Sequence, residues 1–141
     1  MQFGQDFEKI FFRLSLVKTK YLKSIKSGFY TSQEIDILSQ LSNKFFERFN
    51  ETPKQEQLNM LIQRSEKAKE KITPEILTLI FEVDLDQYDD EWLTSTAEAW
   101  IKWRTFDTSL IDTIEFIKTT QVTPENVDSI VTKVKGLIND R

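Results

Sequence analysis

Along most of this 141-residue chain, apolar residues recur three and four positions apart, the period of a helix buried on one side. Strand-like alternation of useful length is absent, and the pattern predicts an all-α protein of about six helices. The first runs from about Asp6 to Val17 with Phe7, Ile10, Phe11 and Leu14 on one face. A short helix from about Thr19 to Lys26 should close on Gly28 as a left-handed cap, with Phe29 behind it. The third, Ser32 to Phe49, presents Ile35, Leu38, Phe45, Phe46 and Phe49. A fourth follows Pro53 with Leu58, Leu61 and Ile62, then dissolves into the polar run Arg64 to Lys71. The fifth, Pro74 to about Val83, is apolar nearly all round and is expected to be buried.

The last third carries the strongest pattern. With Trp92 at zero and about 100° per residue, Trp103 falls near 20°, Trp100 near 80° and Leu93 near 100°. The stripe continues through Leu110, Ile111, Ile114 and Ile117, with no Pro or Gly to break it. After Gln121-Val122-Thr123-Pro124 a second striped helix carries Val127, Ile130, Val131, Val134, Leu137 and Ile138. So short a connection predicts an antiparallel helical hairpin. The organisation expected is a compact helical head over residues 1–86 and a hairpin over 89–139, together one structural domain. The hairpin's first helix should be about 45 Å long and should protrude in part. Ile101 and Phe116, off the main stripe, should then be left exposed for self-association.

Helix starts are written in the Thr-Pro pairs Thr52-Pro53, Thr73-Pro74 and Thr123-Pro124. Threonine accepts a hydrogen bond from the first free amides, and proline at the first helical position gives up nothing by lacking its N–H. Glu75 and Glu125 add charge that suits the positive end of the helix dipole. Thr31 and Glu34 have the spacing of a capping box. Gly136, opposite the apolar stripe of the last helix, marks either close approach of another backbone or a fraying end.

Composition narrows the chemistry. The chain has no Cys and no His, which removes disulfides, thiolate metal sites, the commonest general base and every Ser-His or Cys-His arrangement. Its three glycines are scattered and none heads a phosphate loop. No cofactor and no catalytic residue is expected. There is no apolar run of spanning length and no signal-like start, so a cytoplasmic location is expected. Net charge is −4, which works against broad nucleic-acid binding. The sign is uneven: residues 1–50 carry eight Lys or Arg against five Asp or Glu, and residues 51–90 carry five against ten. A basic end and an acidic middle suit docking to another protein or to a neighbouring copy.

Three clusters invite a functional reading. Glu82, Asp84, Asp86, Asp89, Asp90 and Glu91 lack the glycine and terminal bidentate Glu of a calcium loop, and read better as a solvated turn with an Asp cap before Trp92. Lys18, Lys20, Lys23 and Lys26 read as a solvated face, a protein-docking patch or a phosphate-binding stripe. The tryptophans read as core rather than as a base-stacking platform, since no basic groove is interleaved with them. On that reading Trp103→Ala should cost roughly 3 to 5 kcal/mol.

Asp89-Asp90-Glu91-Trp92-Leu93, then Glu98, Trp100-Ile101, Arg104 and Phe106, resemble the segment that opens the helical hairpin in the N-terminal domain of DnaB-family replicative helicases, particularly bacteriophage members. Upstream, the helix closing on Phe29, the run Phe45-Phe46-Glu47-Arg48-Phe49 and Thr52-Pro53 are similar in order and spacing. The resemblance implies a non-catalytic collar domain whose hairpins pair in a hexameric ring and which contacts primase or a helicase loader. On it, Trp92, Trp100, Trp103, Ile111 and Ile114 are assigned to hairpin packing, and Ile101, Phe116, Val127, Val131 and Val134 to contact with a second hairpin. The family's RecA-like ATPase is missing from this sequence. The alternative is a stand-alone phage adaptor, such as a helicase loader or an accessory nucleic-acid-binding protein.

Overall fold

A computed structural model describes residues 5–139, except for the side chains of Gln5, Ile138 and Asn139; the stripe position expected at Ile138 thus lies outside the described side chains. Among the described residues the chain forms eight α-helices, one 3-10 turn and no strand. These are α1 (Gln5–Val17), α2 (Thr19–Ser24), α3 (Gln33–Phe49), α4 (Gln55–Gln63), α5 (Glu66–Lys71), α6 (Pro74–Phe81), α7 (Asp90–Thr119) and α8 (Val127–Asn139), with the 3-10 turn at Leu85–Gln87. They divide into two compact units, the first ending at Thr94 and the second beginning at Ser95. The boundary therefore falls inside α7 rather than between residues 86 and 89. The start of α7 contacts the first unit through Lys18, whose ammonium lies 3.3 Å from Asp90 Oδ1 and 3.4 Å from Thr94 Oγ1.

In the first unit α1 packs against α2, α3 and α6, while α4 packs against α3, α5 and α6. Phe11, Phe12, Leu22, Ile35, Leu38, Leu58, Ile62 and Ile80 make the fully enclosed core. Phe11 meets Tyr21 and Tyr30 at tilted and edge-on geometries, with centroids 5.5 and 6.1 Å away. Glu8 is buried among them and holds the loop before α3. Its carboxylate accepts the Thr31 N–H at 3.0 Å, the Thr31 hydroxyl at 2.8 Å and the Ser32 N–H at 2.9 Å. The cap of α3 is consequently Ser32, which accepts the Ile35 N–H at 3.3 Å, and not Thr31.

Other helix ends show which local signals prevailed. Thr73 caps α6 and Pro74 opens it, as the pair predicts. Thr52 instead donates its hydroxyl to the Leu16 carbonyl at 3.0 Å, and α4 starts only at Gln55, where the Lys54 N–H donates to Gln57 Oε1. Thr123 and Pro124 form a turn closed by Asn126, which accepts the Thr123 N–H at 2.7 Å, and α8 begins at Val127. Gly28 does take a left-handed φ of +83°, but four residues beyond the end of α2, where its N–H donates to Asp36 Oδ1. The left-handed cap that the sequence reading missed is Asn50, at φ 56°, whose N–H closes α3 on the Phe46 carbonyl. The polar run after α4 is helical as α5, capped by Ser65 and anchored by the fully buried Ala68. α6 is less enclosed than its composition suggested: Leu77 and Ile80 are buried, whereas Leu79 is exposed.

Candidate interaction surface

The second unit holds the carboxyl-terminal part of α7, the connection 120–126 and α8. On α7, Trp103, Phe106, Leu110, Ile114 and Ile117 fall within an arc of about 80°, at 100° per residue. Together with the flanking Ile111 they are 41 to 53% exposed. Trp103 and Phe106 lean on each other with centroids 6.3 Å apart. Val122, Val127 and Val131 add exposed alkyl groups on the connection and on α8.

The covered positions of the same helix are mixed in chemistry. Ala97, Trp100, Arg104, Ser109 and Thr113 are each at most 6% exposed. A buried hydroxyl is costly unless bonded, and here the helix itself supplies the acceptors. Ser109 Oγ donates to the Thr105 carbonyl at 2.7 Å and Thr113 Oγ1 to the Ser109 carbonyl at 2.8 Å. Arg104 forms an ion pair with Asp107 one turn on. At 109 and 113 the covered side chains are thus short and internally satisfied, while nearer the start of the unit a bulky aromatic, Trp100, is covered; the alkyl and aromatic groups of the arc from 103 to 117 stay half-exposed.

This arrangement corrects the expected roles. Of the residues assigned to hairpin packing only Trp100 is buried; Trp103, Ile111 and Ile114 stand on the open side. Trp92, in the first unit, is 48% exposed and stacks on Tyr88 with centroids 5.5 Å apart. The physical reason is that beyond Arg104 the residues α7 covers are Ser109 and Thr113, so its most apolar arc there stays half-exposed. Of the residues assigned to self-association, Val127 and Val131 are exposed, while Ile101 and Val134 are half-buried. Phe116 is half-buried beside α8, its ring 4.8 Å from the Lys133 ammonium. Phe106, Leu110 and Ile117, assigned to neither set, complete the exposed stripe.

The lysines of α2 and its neighbours do not act as one free patch. Lys18 is held by Asp90 and Thr94, while Lys20, Lys23 and Lys26 are exposed, Lys20 5.0 Å from the Tyr21 ring and Lys23 5.2 Å from the Phe46 ring. In the acidic segment Asp89 caps α7 by accepting the Trp92 N–H at 3.1 Å, and Asp84 caps the 3-10 turn through the Asp86 N–H at 3.0 Å. Among the described residues no group of three or more acidic, His or Cys side chains is placed to hold a metal ion, and no helix is long and apolar enough to cross a membrane. Comparison with protein-family models, curated proteins and solved structures returned no match.

Proposed function

We propose that this chain is a non-catalytic association module: the N-terminal collar of a DnaB-type hexameric replicative helicase, joined to a second copy through the open stripe of α7 and docking primase or a loader elsewhere. One observation carries the reading. Trp103, Phe106, Leu110, Ile114 and Ile117 form a continuous, half-exposed apolar arc on α7. Contiguous apolar surface of this kind marks an interaction site, and covering it contributes roughly 25 cal/mol per Å² removed from water. The resemblance of Asp89 to Phe106 to the family's hairpin segment supplies the identity of the partner, a sister hairpin. In that family ATP hydrolysis belongs to a separate RecA-like domain, so this part would contribute assembly and not chemistry.

Light scattering on a size-exclusion column, run over a wide range of loading concentrations, tests the reading. The mass should rise above the 16.7 kDa of one chain, and the double substitution Leu110→Asp with Ile114→Asp should return it to that value. A single-chain mass at every concentration, or an assembly indifferent to the double substitution, overturns it.

A further inference from the structure

A cleft of about 420 Å³ opens on the first unit between α1, the 3-10 turn and the first turn of α7. Leu14, Val17, Val83, Leu85 and Leu93 give it apolar walls, and its size suits an anchoring side chain and the backbone around it. Val17, on the last turn of α1, is 60% exposed. Two features show what the cleft lacks. The Arg13 guanidinium is pinned 5.2 Å from the Phe81 ring, and its Nε is buried without a hydrogen-bond partner. Asp84 and Asp86 are exposed at the mouth, and neither forms an ion pair among the described residues. Lys18, the other cation of the wall, already spends its charge on Asp90. The cleft therefore offers apolar walls and a mouth of uncompensated negative charge.

We propose that this cleft docks a short segment of a partner protein in which an apolar residue is flanked by Lys or Arg. The apolar side chain seats against Val17 and Leu85, and the flanking cations pair with Asp84 and Asp86. The apolar residue answers the alkyl walls, and the basic flanks answer the acidic mouth. An anionic ligand, nucleic acid included, would have to pass two carboxylates to reach the guanidinium. The excess of acidic over basic residues across positions 51–90 steers the same class of partner. The site is separate from the α7 stripe and does not depend on self-association.

Fluorescence anisotropy of a labelled Lys-Arg-Leu-Leu-Lys-Arg peptide, titrated with the full chain, tests the proposal beside the acidic peptide Glu-Asp-Leu-Leu-Glu-Asp and a short oligo-dT. The basic peptide should bind saturably and the other two should not. Asp86→Lys and Val17→Glu both alter exposed positions, and circular dichroism reports whether each keeps its helicity. Each should weaken the basic peptide by about tenfold, the scale of one lost contact of 1.4 kcal/mol. Val17→Glu separates seating from mere attraction: added negative charge strengthens a diffuse electrostatic association but blocks a seated side chain. Absence of saturation, tighter binding by Val17→Glu, indifference to both substitutions, or equal binding of the acidic peptide or of oligo-dT overturns the proposal. Because the readout is peptide binding by the chain in any oligomeric state, its failure is distinct from failure of the collar reading.

Discussion

The carboxylate of Glu8 on α1 takes both the N–H and the hydroxyl of Thr31, 23 residues away, at 3.0 and 2.8 Å. With the Ser32 N–H as a third donor, one buried acid fixes where α3 begins and so where Ile35 and Leu38 enter the core. Hydrogen bonds to a charged group are each worth about 1.5 to 3 kcal/mol, and removing the acceptor strands its donors. Glu8→Ala should therefore destabilise the chain by about 3 kcal/mol or more in urea unfolding, and Glu8→Gln, which keeps an acceptor oxygen, by less.

Trp100 and Trp103 differ by three positions and have opposite environments, 1% and 45% exposed. Trp100→Ala should cost about 3 to 5 kcal/mol by cavity formation. Trp103→Ala should cost under about 1 kcal/mol at concentrations where the chain is single, because a surface truncation removes little packing. Equal losses in chemical denaturation would show that the open side of α7 is covered.

Tyr30 is 4% exposed, and burial drives its phenol far above the ordinary range, against the pull of the Ser39 and Ser15 hydroxyls. The sign follows from proton counting. Above pH 10 the unfolded chain loses this proton while the folded chain keeps it, so stability falls as pH rises, by about 1.4 kcal/mol per pH unit. Thermal melts between pH 9 and 12 should show the loss, and Tyr30→Phe should flatten the slope by that amount.

Two left-handed positions offer a paired test of backbone strain. A Cβ at Gly28 would meet nothing within 4 Å, so Gly28→Ala should cost only the conformational penalty of its φ of +83°, about 1 to 2 kcal/mol. Asn50 already bears a side chain at φ 56°, so Asn50→Gly should be neutral or slightly stabilising. Urea midpoints of the two variants should move in opposite directions or leave Asn50→Gly unmoved.

The helical class was legible because periodicity is dense and breakers are few; α1, α3 and α6 begin and end within a residue or two of expectation. α5 was not, since Glu-Lys-Ala-Lys-Glu-Lys has no apolar stripe and owes its helix to a Ser65 cap and one buried alanine. Two of three Thr-Pro pairs misled because Thr52 and Thr123 serve a tertiary bond and a turn, competitors that local spacing does not reveal. The stripe on α7 was visible, but its direction was not. Amphipathicity names two sides of a helix without saying which is covered, and the short hydroxyl residues at 109 and 113 look like a solvent face until their back-bonded geometry is seen.

That division has a practical corollary for anyone altering the molecule. Beyond Arg104 the covered positions of α7 are hydroxyls and the half-exposed ones are alkyl and aromatic groups, so the two sets can be edited apart. Trading the half-exposed alkyl groups for charged ones should leave the architecture intact. Enlarging the covered Ser109 or Thr113 does the reverse, wedging the scaffold open while leaving the half-exposed alkyl groups untouched.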